Sequence, residues 1–185
     1  MPSMIREIRP YKKRRSLILN KVVNLDQEII SEFKRRIFEE SYARIFKCMD
    51  LLSEEEIWHS PNENCNSIAN LILHLHGNMR QWMTTTFVEN EDLRKRFEEF
   101  QSVDGLNKAE LKSLLSKLQD DVLYFLDTIS NEEMLKSYKV QVFYEKGISI
   151  LIHVIEHFSY HTGQIALLTK LICDKDLEFY SFPLE

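Results

Sequence analysis

Apolar residues recur at helical spacing along most of the chain. Ile29, Ile30, Phe33, Ile37, Tyr42, Ile45 and Met49 predict a first helix over about residues 26–52, with Asp26 as its N-cap. Ile68, Leu71, Ile72, Leu75, Met79, Trp82 and Met83 form a second stripe. It predicts a helix that starts at Asn66 or Ser67 and continues to about Phe87. Asn107 with Glu110 marks the cap of a third helix reaching about Ile129, and a fourth follows Gly147 and ends near Cys173. This last helix is apolar nearly all round, as one buried on most sides must be. Between the long helices, Ser53–Glu56 and Ser130 with Glu133 match capping boxes that open short helical turns. Ser60 to Asn64 is a turn cluster, and Asp104-Gly105 is a break. The charged stretch Glu89–Phe100 reads as a connecting helix or surface loop anchored by Phe97 and Phe100. Tyr138, Val140, Val142 and Tyr144 alternate with polar residues, which predicts a short strand or extended segment. The aromatic tail Glu178–Pro183 is expected to pack back on the body. The fold class is all-α: a four-helix bundle with an irregular crossover between its second and third helices and a short extended segment before the last.

Composition narrows this picture. The chain has 185 residues, 44% hydrophobic and 29% charged, enough for one sizeable core, and only four Gly and four Pro. The net charge of −5 is uneven. Residues 1–22 carry seven Lys or Arg against Glu7, or +6, which leaves −11 on the remainder. The chain therefore divides into a basic N-terminal arm, residues 1–22, and a single domain, residues 23–185. The arm fails as a signal peptide because Ser16-Leu-Ile-Leu is too short for an apolar h-region. Nor does any run approach the roughly 18 apolar residues of a membrane span. Cys48, Cys65 and Cys173 form no CxxC pair, which fits a reducing compartment. A cytoplasmic protein without a membrane partner is expected, and the acidic body argues against nucleic acid despite the basic arm.

Candidate chemistry sits in the last helix. His153, His157 and His161 recur every four residues inside an apolar stretch. Residues four apart on a helix lie one above the other, so with Gln164 they share one sector of the helix. A buried imidazole needs a polar partner, and a stacked pair is better explained by a metal than by two separate hydrogen bonds. A third ligand must come from another helix. His74 belongs to an inward polar line with Ser67 and Asn78, which makes it the better candidate. His76 sits on the far flank of the apolar stripe and reads as a flanking residue, and His59 as a surface one. The run His153-Val-Ile-Glu156-His157 also matches the H-x-x-E-H pattern of inverted zinc proteases. Only tail carboxylates follow it, however, so a protease is disfavoured.

Three stretches together resemble the DinB-like (YfiT-like) superfamily. They are Ser67-Ile-Ala-Asn-Leu-Ile-Leu-His74-Leu with Gly77-Asn78-Met79, the run His157-Phe-Ser-Tyr-His161-Thr-Gly163-Gln164-Ile, and the Trp58…Pro61-Asn62 turn. The resemblance covers about residues 25–173. It implies a four-helix bundle in which His74, His157 and His161 hold one divalent metal, with His153 and His76 outside that set. Better understood relatives resemble small-molecule transferases that use a low-molecular-weight thiol as co-substrate.

The expected function is thus a metal-dependent transferase acting on a small-molecule substrate, with Zn or Ni first among the metals that suit three imidazoles. Asn78 and Gln164, and more remotely His153 and His76, are candidates to orient a ligand or touch substrate. A hydrolase that activates water is the alternative from the same site. A non-catalytic metal-binding bundle is another, and a homodimer is the expected assembly.

Overall fold

In the computed structural model, which describes residues 24–88 and 91–180, the first apolar stripe becomes helix α1. It runs without a break through Leu25–Lys34, Arg35–Ser41 and Tyr42–Leu51. The middle segment is π-helical, and the Ser41 hydroxyl donates to the Arg36 carbonyl five residues back. The apolar stripe takes a five-residue step from Ile37 to Tyr42, and the wide turn keeps both side chains buried on one face. Asn24, not Asp26, occupies the N-cap position. Asp26 lies within the first turn, where its charge complements the helix dipole. The arm expected over residues 1–22 lies outside the described residues.

Helix α2, Glu54–Trp58, opens with the Ser53–Glu56 capping box. Helix α3 comprises Ile68–Met79, a π-helical Arg80–Thr85 and Thr86–Val88. Its cap is Ser67, whose hydroxyl accepts from the Asn70 amide while the Asn70 side chain accepts from the Ser67 amide. Here too a hydroxyl, that of Thr86, donates to a carbonyl five residues back, at Gln81. Within the charged crossover, Arg96–Gln101 forms helix α4. Helices α5, Lys108–Thr128, and α6, Asn131–Leu135, open with capping boxes at Asn107–Glu110 and Ser130–Glu133.

The alternating segment is a hairpin and not one strand. Strand β1, Ser137–Val140, pairs antiparallel with β2, Phe143–Lys146, in a register that sets Val140 opposite Phe143. The reversal falls at Gln141-Val142, with Gln141 at φ 55°. Gln141-Val142 has no Gly, Asn or Asp to mark such a turn, and the apolar alternation of the sequence continues across it, although the reversal leaves Tyr138 and Val140 buried and Val142 and Tyr144 exposed. Helix α7, Gly147–Cys173, follows at once. A Cβ on Gly147 would lie 2.5 Å from the Glu133 carbonyl oxygen, so the absent side chain lets α7 start directly against α6.

Helices α1 and α3 pack on α7, and α5 packs on α3, which makes the bundle. Its core includes Phe33, Ile37, Tyr42, Ile45, Ile72, Leu75, Leu115, Val122, Val154 and Phe158. Tyr42 stacks on Phe158 and donates to the Leu115 carbonyl at 3.2 Å, so its buried hydroxyl is satisfied. Leu177 is buried and Lys47 donates to the Glu178 carbonyl, so the described part of the tail does pack on the body. Among the described residues no helix is long and apolar enough to cross a membrane, and the three cysteines are free thiols.

Candidate metal centre

Helices α3 and α7 meet where each carries histidine. His74 comes from the middle of α3, and His157 and His161 come from successive turns of α7. One nitrogen from each ring lies within 4.8 Å of those of the other two, and the His157 Nε2 and His74 Nε2 atoms are 2.9 Å apart. Metal–nitrogen bonds of about 2.0–2.1 Å in a tetrahedron place ligand nitrogens about 3.3 Å apart, so small side-chain adjustments suffice. His74 and His161 are buried and His157 is half-buried.

Second contacts fix which nitrogen His161 and His74 offer. His161 Nδ1 donates to Gln164 Oε1 at 2.6 Å, which leaves Nε2 with its lone pair toward the centre. His74 Nδ1 lies 3.0 Å from Glu99 Oε2 and 3.1 Å from an Arg94 guanidinium nitrogen. Arginine can only donate and carboxylate can only accept, so the ring proton goes to Glu99 and the Arg94 contact is mere proximity. The same carboxylate receives two hydrogen bonds from Arg94, at 2.7 and 2.8 Å. Arg94 also donates to Gln81 Oε1 at 2.9 Å, and its side chain is 4% exposed. Glu99 of α4 and Arg94 from the segment just before it thus lay a carboxylate–arginine pair over the back of His74, and Phe100 covers the ring face at 4.6 Å. A Cβ on Gly77 would stand 2.1 Å from Glu99 Oε1 and 2.9 Å from Arg94 Nε. Any side chain there would make this pair shift.

The electrostatics suit neutral imidazoles and an ionised carboxylate. Burial, reinforced by the His161, His74 and His153 rings and by Arg94, pushes His157 down to about 3. Burial also lowers His161, against the opposing hydrogen bond that it donates to Gln164. For Glu99, burial alone would raise the carboxyl, but the bonds from Arg94 and His74 outweigh it and the net direction is down. Three rings whose nitrogens converge, one of them oriented by a carboxylate, are a donor set that fits a divalent cation.

The other candidates lie around this cluster without joining it. His153 stacks on Trp82 at 3.7 Å, is lowered by burial, and its buried Nε2 finds no partner among the described residues. Asn78 is buried one turn beyond His74, and its Oδ1 is likewise unpartnered. His76, lowered to about 4 chiefly by burial, lines a shallow cleft with Gly77, Arg94 and Glu99 on the outer side of the ion pair. Glu156 is exposed, so the H-x-x-E-H pattern is not assembled into a site. Sequence reasoning missed Glu99 and Arg94. Of the two anchors expected there, Phe100 packs on His74, whereas Phe97 is exposed at 70%.

A helical bundle of this kind is also the fold of solved DinB-like proteins. Residues 24–185 match the family described as Protein of unknown function (DUF1572), and the chain belongs to it. Among solved structures it is similar to a DinB-like protein of Bacillus subtilis, YjoA, at 15% identity and a TM-score of 0.58, covering 78% of this chain and 91% of that one. A conserved protein of Enterococcus faecalis shares 18% identity at a TM-score of 0.59, covering 84% and 99%. A DinB-like protein of Bacillus cereus shares 9% at 0.55, covering 79% and 91%. At these identities the likeness is one of fold. No curated protein matches the chain.

Proposed function

We propose that His74, His157 and His161 bind one divalent metal and that the centre serves transfer of a low-molecular-weight thiol to a small electrophilic substrate. The observation that carries this reading is the convergence of the three imidazole nitrogens within 4.8 Å. A divalent cation held by three neutral imidazoles would keep its full charge and an open position, lowering the pKa of a thiol or water placed there. Glu99 holds the His74 tautomer that presents Nε2, and Gln164 does the same for His161. Asn78 Oδ1 and His153 Nε2, both buried and unpartnered among the described residues, are the groups to orient a small molecule beside the three rings.

Thiol transfer is favoured over hydrolysis by the state of the nearby acid. The carboxylate that touches the cluster, Glu99, is already committed to His74 and Arg94, so it is poorly placed to take a proton from water. A thiol starts from a pKa of about 8.5 against about 15.7 for water, so at the same metal it would be the more readily ionised of the two. Elemental analysis tests the metal. About one equivalent in the wild type, lost from His74→Ala, His157→Ala and His161→Ala but kept in His153→Ala, is the expected result. Absence of metal after reconstitution would overturn the reading. Activity on electrophiles that persists without any added thiol would leave the hydrolase instead. Homodimerisation and a cytoplasmic location belong to the same proposal.

A further inference from the structure

A second cleft, of about 380 Å³, lies between α1, α7 and the tail segment Leu177–Tyr180. On α7 it is walled by Ile155, Ser159, Thr162, Gly163 and Ala166, none of them a member of the histidine cluster. Its α1 wall is the π-helical turn, through Arg36, Glu40 and Ser41, followed by Arg44. π-Helical turns cost helix geometry and recur at functional sites.

Features of this cleft lack an intramolecular reason. Arg44 is half-buried and stands over the Phe179 and Tyr180 rings at 5.7 and 5.8 Å. Its nearest carboxylate, Glu40, is 3.9 Å away, beyond hydrogen-bond reach, and is engaged by Arg35 and Arg36. The guanidinium is therefore positioned by its aromatic platform with donors unspent among the described residues. Thr162 is buried at 6% exposure, and its hydroxyl has no partner among the described residues. Gly163 sits inside a 27-residue helix, where glycine costs about 1 kcal/mol relative to alanine. Yet a Cβ there would meet no atom within 4 Å. Nothing in the described protein uses the space that this glycine leaves open.

We infer that this cleft binds a small organic anion, with its carboxylate or phosphate on Arg44 and its flat apolar body over Gly163 and Ala166, beside the Phe179 ring. Thr162 supplies a further hydroxyl to the anionic end. The site is independent of the metal reading, since it shares no side chain with the three histidines.

Titration of the full-length protein with benzoate and phenyl phosphate, followed by amide chemical shifts and calorimetry, tests this. Inorganic phosphate serves as the control that lacks an apolar body. Saturable binding of at least one aromatic probe is expected, with shifts centred on residues 159–166 and tighter than that of inorganic phosphate. Arg44→Met should weaken it about tenfold or more, because a charge-assisted hydrogen bond is lost. Gly163→Leu should abolish it while the thermal midpoint holds or rises, because leucine is the better helix former. Absence of saturable binding, affinity equal to inorganic phosphate alone, or unchanged binding in both variants would overturn the inference.

Discussion

At the level of single residues, His74 owes its orientation to a side chain far away in sequence. Glu99 accepts a hydrogen bond from Nδ1 and is itself clamped by Arg94. Partners of this kind commonly change metal affinity by about 10–100-fold. Glu99→Gln is expected to lower affinity by that order, as measured by chelator competition, while the helical content stays the same. An affinity equal to the wild type would show that the carboxylate is a bystander. The His157–His161 pair is legible in the sequence because helical periodicity sets rings four apart one above the other, and His74 from its place on an inward polar line with Ser67 and Asn78. Glu99 and Arg94 are not, because nothing in an alternating charged run says which carboxylate turns inward. That choice is made when α4 docks on α3.

Among the elements, the caps are the most legible feature. The Ser53, Asn107 and Ser130 boxes are local bargains between a side chain and an amide three residues on, so sequence spacing specifies them. Both π-helical segments escape such reading, although the five-residue step from Ile37 to Tyr42 carries the signature of the first. Helix α4 is held against α3 by Asn70, whose amide donates to the Glu99 and Ser102 carbonyls, and by the clearance at Gly77. Gly77→Ala tests that clearance. The substitution gains about 1 kcal/mol of helix propensity, yet it must push the buried Glu99–Arg94 pair off the helix. The expected outcome is a net loss of stability in denaturant melts together with weakened metal binding. A more stable variant with intact affinity would count against close packing at this point.

For the whole molecule, the buried imidazoles make stability depend on pH. His157 is pushed to about 3 and His76 to about 4, while His153 and His161 are also lowered. In the unfolded chain such rings titrate near 6.5. Below that value the unfolded state binds more protons than the metal-free folded state, so stability rises with pH through this window. The contribution is fully present above about 6.5 and is lost as pH falls toward the depressed folded values. Thermal midpoints of chelator-treated protein should therefore fall between pH 7 and 5, a range still above most carboxylate titrations. A flat profile there would mean that the rings are protonated in the fold. The bundle itself was readable from four apolar stripes, because each helix must bury its own stripe. The hairpin was not, since Gln141-Val142 carries none of the residues that usually mark a two-residue turn.

The spacing of the cluster along the chain also sets an order of events. His157 and His161 are neighbours on one helix, whereas His74 lies 83 residues before His157. The near pair exists as soon as a few turns of α7 have formed. The third ring arrives only when the long intervening loop has closed and α3 has docked. Helix nucleation is the unfavourable step in an isolated segment, so an ion bridging the near pair would lower that barrier before the bundle exists. Metal present during synthesis or refolding would then act as a template, making α7 the scaffold on which the other helices assemble.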